Sequence, residues 1–234
     1  SSTDNAGNTG GSATQTVSFV ASADLITDTL SSTPASAATG NSMSFSGRVF
    51  NQGGSAAVAS STRLRIDVGN NGSWDVLPAN VSTPSLAAAV GSTASWNNVW
   101  TATAGTHRFE ICADIGGVVT ESSDTNNCTE TTFPVTGPPN CNFTGPGSLT
   151  VGQSGTYTQS NTANTTSWSW TSSPVGGSFT FPFASSTGWS ATSANTYTLR
   201  LDCSGPGGSG SATASVTVSN LPDLITDTLS STPA

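Results

Sequence analysis

The twelve residues Asp24–Ala35 (DLITDTLSSTPA) recur without a change as Asp223–Ala234, an offset of 223 − 24 = 199 residues. The same offset relates Ser12-Ala13-Thr14 to Ser211-Ala212-Thr213 and Val17 to Val216. A period this long exceeds one solenoid turn and suits whole domains strung in tandem. The 234 residues therefore read as about one full repeat with an overhang on each side, a window on a longer periodic fibre or stalk. Two sandwich domains of roughly 100 residues fill such a period.

Hydrophobic residues make up 34% and charged residues 8%, against roughly 45–50% and 25% in ordinary globular domains. Disorder does not follow, because disordered chains are charge-rich and poor in aromatics, whereas this one keeps six Trp and nine Phe. Ser and Thr together supply roughly a third of the chain. That mixture suits short strands with solvated hydroxyl faces and tight polar turns, an all-β protein. The chain has no lysine; its cations are Arg48, Arg63, Arg65, Arg108 and Arg200. With net charge −8, a phosphate backbone is repelled, so nucleic acid is not a partner. Lys–Asn isopeptide staples are excluded by the same count. No run approaches the 18–20 apolar residues of a membrane span, and no signal peptide is present; an anchor is expected beyond these ends.

Four cysteines allow three pairings, and local context selects one. His107–Asp114 alternates Phe109, Ile111 and Ala113 with Arg108, Glu110 and Cys112, and Asn127–Val135 alternates again. Paired as a hairpin, these strands set Cys112 opposite Cys128. Cys203 ends the alternating strand Tyr197-Leu199-Leu201-Cys203, and a bridge to Cys141 pins the start of a second domain across its core. No CxxC spacing supports a four-cysteine metal site. Two disulfides place the chain in an oxidising, extracytoplasmic setting.

Residues 23–136 read as one unit, with strands at Asp24–Leu30, Ser42–Asn51, Thr62–Val68, Trp74–Leu77 after an Asn70-Asn71-Gly72 turn, Ala94–Thr101, and the two cysteine strands. This order resembles the CARDB family, the cell-adhesion-related domain of bacteria and archaea. The matching pieces are Asp24-Leu25-Ile26, Val49-Phe50-Asn51-Gln52-Gly53, Trp100 before Gly105, Ala113-Asp114, and Glu121-Ser122-Ser123-Asp124-Thr125-Asn126-Asn127. The resemblance covers about half of the chain, with His107 standing where an aromatic is usual. It implies a seven-stranded immunoglobulin-like sandwich in surface proteins, and no enzymatic activity.

Residues 137–220, after Pro138-Pro139, read as a second sandwich with strands at Ser148–Val151, Ser154–Gln159, Ser167–Thr171, Ser178–Phe183, Asn195–Cys203 and Ser211–Val218. Their pattern is similar to bacterial Ig-like or PKD-like modules. Residues 1–22 resemble the closing strands of a preceding module, and 221–234 begin the next CARDB-like unit. Tandem immunoglobulin-like antiparallel β-sandwiches are the expected architecture.

No catalytic residue is expected: the one histidine, His107, lies in an alternating strand with no nucleophile or zinc motif around it. Asp67, Asn71 and Asp75 offer oxygens around a glycine turn, as calcium loops do. Gly69 and Pro78 depart from the EF-hand pattern, and a plain Asn-Gly hairpin explains the residues as well. Asp114, Glu121, Asp124, Asn126 and Asn127 form a second oxygen-rich cluster, of the sort that caps its own turn. Trp96, Trp100, Trp168, Trp170 and Trp189 suit core packing more than glycan stacking. Five Asn-x-Ser/Thr sequons, at Asn71, Asn80, Asn127, Asn142 and Asn164, match what such a composition yields by chance. The function expected is a disulfide-stapled spacer in an extracellular fibre or adhesin stalk, its partners being neighbouring repeats or other copies in a homopolymer. A glycan- or protein-binding module and an accessory domain of a secreted enzyme are the alternatives; no cofactor beyond a structural calcium is expected.

Overall fold

A computed structural model describes residues 21–222, which hold sixteen strands and no helix. No helix there is long and apolar enough to cross a membrane. The closing strands expected in 1–22 and the recurring strand expected in 221–234 lie outside the described residues, apart from two positions of each.

The first eight strands are β1 (Leu25–Thr33), β2 (Ala37–Ala38), β3 (Ser42–Asn51), β4 (Ser60–Asp67), β5 (Val81–Thr83), β6 (Gly91–Thr101), β7 (Gly105–Cys112) and β8 (Cys128–Thr136). They make a three-stranded sheet, β1-β3-β6, and a five-stranded sheet, β2-β8-β7-β4-β5. Alternation explains the layering: in β3 the even-spaced Met43, Phe45 and Val49 are buried, and in β4 Leu64 and Ile66 are fully buried. One face of each sheet must leave water, so the two faces close on each other. Phe45 meets Phe109 at 4.8 Å and Phe133 at 5.5 Å between ring centroids, joining the two sheets.

The remaining strands are β9 (Phe143–Thr144), β10 (Ser148–Thr150), β11 (Ser154–Gln159), β12 (Ser167–Ser173), β13 (Gly177–Phe179), β14 (Ser186–Ala191), β15 (Asn195–Gly205) and β16 (Gly208–Ser219). They pair as β13-β14-β11-β9 and β10-β16-β15-β12. A separate core lies between them, built on Trp189 and Tyr157 from one sheet and Trp170, Tyr197, Leu199 and Leu201 from the other.

Two expected strands come out differently. Trp74–Leu77 is not a strand; its pairing with β4 reduces to a single bridge, Ile66 to Val76. Pro78 brings no N–H to extend a ladder, and Trp74 is taken up by two arginines, described below. The strand expected over Ser178–Phe183 stops at Phe179. Pro182 interrupts it, and Thr187 Oγ1 accepts the Phe181 N–H at 3.1 Å in place of a ladder partner. β14, which pairs with β11 and β13, has no counterpart in the sequence reading.

Candidate functional site

The family-like motifs scattered over a hundred residues converge at the start of β1. Asn51, fully buried at the end of β3, accepts the Asp24 and Gly53 N–H groups at 3.1 Å each and donates to the Ser55, Leu86 and Ala87 carbonyls. Asp24 accepts Gln52 Nε2 and Asn126 Nδ2, both at 3.0 Å. Glu121 accepts the Leu25 N–H on one oxygen and Asn127 Nδ2 (2.9 Å) on the other. Thr129 donates to the Thr27 carbonyl, and Thr27 Oγ1 donates to that of Ile111 at 2.9 Å. Gly53 supplies the room: a Cβ there would lie 2.4 Å from the Ser22 carbonyl oxygen and 2.5 Å from the Ala23 carbonyl carbon. The result is a clasp that grips the incoming strand by side chains from β3 and from the β7–β8 loop.

The clasp has an electrostatic signature. Burial and the neighbouring Asp114 and Asp124 charges raise the Glu121 pKa despite its two hydrogen bonds. For Asp24, burial pushes upward, and hydrogen bonds from Asn126, Gln52 and Ser122 more than offset it, leaving the pKa lowered. Replacing Glu121 by Gln leaves one acceptor oxygen for two donors. We expect amide exchange at Leu25 to speed at least fivefold, the equivalent of about 1 kcal/mol of lost local stability; exchange at wild-type rate would show that Glu121 does not hold the strand.

On the outer face of β4, β7 and β8, Arg65 and Arg108 both stack on the Trp74 ring, 4.1 and 4.6 Å from its centroid. Arg65 pairs with Glu110 at 2.7 Å, Arg63 pairs with it at 3.4 Å, and Arg108 bridges Asp67 and Glu130. Glu110 and Glu130 are opposed in register; the β4 arginines neutralise the former and Arg108 the latter.

The residues proposed for calcium are committed to their own turn. Asp67 is fully buried; it accepts the Asn71 and Gly72 N–H groups at 2.9 Å and Arg108 Nη2 at 3.0 Å. Burial raises its pKa, and those donors lower it further than burial raises it. Asn71 Oδ1 accepts the Ser73 N–H, and Asp75 accepts the Val68 N–H. These oxygens face N–H donors, a poor fit for a cation. Among the described residues, the one His, Cys, Asp or Glu group close enough to share an ion is Glu110, Cys112 and Cys128, and its two sulfurs are bonded to each other. His107 is buried, with Nδ1 accepting the Gly69 N–H and Nε2 against the Thr103 carbonyl, so neither nitrogen is free for proton transfer.

The tryptophans do not form a platform. Trp96, Trp170 and Trp189 are buried. Trp100 is half-buried against His107 and Phe133, and Trp168 donates its indole N–H to Gln159.

Arg48 clamps Asp28 of β1 with Nε and Nη2, and this holds the carboxyl at about 2. A depressed carboxylate stabilises the fold above its ordinary pKa of 3.8 and loses that contribution as pH falls toward 2. Asp67 and Asp202 act in the same direction, while Glu121, with a raised pKa, opposes them as pH rises through it. The thermal midpoint is therefore expected to drop between pH 3.8 and about 2, and Asp28→Asn to flatten part of that drop; an unchanged profile in the variant would contradict the assignment.

Both disulfides join elements that the pairing brings together. Cys112 and Cys128 face each other across β7 and β8, with Cα atoms 4.0 Å apart. Cys141, just before β9, is bonded to Cys203 in β15 and so ties one sheet of the second sandwich to the other.

The route of the chain follows from these pairings. Ala23 bridges Glu121 in parallel, and β2 runs parallel to the end of β8. The chain thus enters the first sandwich at the clasp and leaves at the opposite pole. In the second, Cys141 lies by the Gly205–Gly208 hairpin end, where a Cβ on Gly210 would sit 2.8 Å from its sulfur. β16 then carries the chain to the far pole, where Thr150 pairs with Ser219.

A comparison with known families matches residues 22–131 to CARDB. That segment is a CARDB domain. No curated protein matches the chain. Among solved structures, it is similar to the CARDB domain of a Pyrococcus furiosus protein in complex with di-metal ions, at 22% identity and TM-score 0.39, covering 51% of this chain and 98% of that one. A domain of a candidate cell surface protein of Methanosarcina acetivorans is similar at 19% identity and TM-score 0.35, over 48% and 91%. The fibronectin(III)-like modules of Clostridium thermocellum CbhA follow at 13% and TM-score 0.24, over 82% and 94%. The clasp lies within the CARDB segment. Its residues stand in the sequence as separate family-like motifs, and only the fold brings them to one place.

Proposed function

We propose that the chain is a structural segment of an extracellular surface protein, a spacer that adds length along an axis. CARDB is a cell-surface-associated domain family of bacteria and archaea, and two disulfides suit an oxidising compartment. In each sandwich the chain enters at one pole and leaves at the other, as serial extension requires. The observation that carries the reading is the recurrence of β1. The sequence that the CARDB clasp grips returns at Asp223–Ala234, which supports a further CARDB unit after the second sandwich. Adjoining repeats are the partners.

The size of the native polypeptide tests this. Reduced, denatured material is expected to have a mass well above 23.3 kDa, and its peptide map should repeat the junctions between units. A native polypeptide holding a single CARDB domain would sink the proposal.

A further inference from the structure

The two sandwiches are cross-linked at different points relative to where tension enters, and this makes them unequal under load. In the second, Cys141 stands at the pole where the chain arrives, and Cys203 precedes the last strand. A pull on the two ends therefore passes from Cys141 through the disulfide to Cys203, and then along β16. The 62-residue separation that the bond spans, which holds β9 to β14 and most of β15, lies outside the tension path. What remains on the path is β16, paired on one side with β15 from Val218 to Gly208 and on the other with β10. Force along its axis shears both ladders at once.

The CARDB domain has no such shunt. Its disulfide encloses a separation of 16 residues near the end of the chain's course, and everything before Cys112 stays on the path. Its incoming strand β1 is at a sheet edge, with a backbone ladder to β3 alone. Side chains of the clasp, chiefly Glu121, Asp24 and Asn51, hold its first residues.

We propose that extension under load is confined to the CARDB domain, while the second sandwich is a nearly inextensible link whose Cys141–Cys203 bond bears the axial force. This rests on the spacer reading for its biological purpose, though not for its mechanics. At roughly 3.5 Å per extended residue, full unfolding of the oxidised CARDB domain adds on the order of 300 Å. Unravelling β16 as far as Cys203 adds only about 30 Å. A long shallow reserve thus alternates with a stiff element along the stalk.

Single-molecule pulling on the whole chain, held at Ser1 and Ala234, tests the proposal. Oxidised molecules are expected to show one long unfolding step on the order of 300 Å and a second of about 30 Å. In a dithiol reductant, which reduces each bridge to two thiols while itself becoming a cyclic disulfide, the short step should lengthen by about 200 Å and the long one by about 50 Å. Two long steps in oxidised molecules, or no lengthening of the short step on reduction, would overturn the inference and leave the spacer reading standing. A native polypeptide with one CARDB domain would remove the spacer reading while the step lengths remained as stated.

Discussion

Replacing Cys141 and Cys203 together by alanine is expected to lower the stability of the second sandwich by about 4 kcal/mol. The figure follows from the loop-closure entropy that a cross-link over 62 residues removes from the unfolded chain. For a domain of this size it corresponds to a fall in Tm of roughly 20 °C. The same double replacement at Cys112 and Cys128 closes a shorter loop, with a separation of 16, and is expected to cost about 3 kcal/mol. Denaturant unfolding followed by tryptophan fluorescence measures both. A loss below about 1 kcal/mol at Cys141–Cys203 would mean that the bridge adds little to a sandwich already held by its core, and the stapling account would fail.

Trp189→Ala is expected to be comparably severe, at about 3–5 kcal/mol. Trp189 is fully buried at the centre of the second core, with ring centroids of Tyr197 at 5.1 Å, Phe179 at 6.4 Å and Tyr157 at 6.5 Å. Gly177 is bare beneath it: a Cβ there would lie 2.4 Å from the indole, so no neighbouring side chain stands ready to fill the hole. Total stabilities of single domains run to about 5–15 kcal/mol, so the variant sandwich should be largely unfolded at moderate temperature. Trp189 Nε1 has no hydrogen-bond partner among the described residues. Trp189→Phe, which removes that donor and keeps most of the ring, is therefore expected to cost less than half as much. Both variants remove the indole N–H and differ in the cavity they leave, so equal losses would show that the cavity does not set the cost.

These same residues show where sequence reading reached and where it stopped. β3 and β11 were legible to the residue because a buried position alternates with an exposed one along the whole strand. The Cys112–Cys128 pair was legible for the same reason, since register follows from alternation once a hairpin is assumed. β14 was not legible: Ser186–Ala191 has a glycine at its middle and Trp189 as its one large apolar side chain, too little for a period to emerge. Trp74–Leu77 misled in the opposite sense, because an Asn-Gly turn followed by Trp and Val looks like a returning strand. The tryptophan instead stacks with two guanidinium groups, and Asp67 and Asp75 spend their oxygens on the turn. The clasp was hidden for a different reason. Its bonds join Asp24 to Asn126 and Leu25 to Glu121, and no local pattern encodes which polar side chains meet across about a hundred residues. A motif such as Glu-x-x-x-x-Asn-Asn marks the place without stating the partner.

The central claim is that the molecule is a serial spacer whose sandwiches lie end to end. Electron microscopy of the native surface material tests it most directly. β6 and β16, eleven and twelve residues long, set each sandwich at roughly 35–40 Å. The account predicts a thread one domain thick with a continuous backbone and an axial period of about 70–80 Å, two sandwiches per repeat. A thicker filament in which Asp223–Ala234 of one molecule occupies the clasp of another, or material with no axial period, would contradict it.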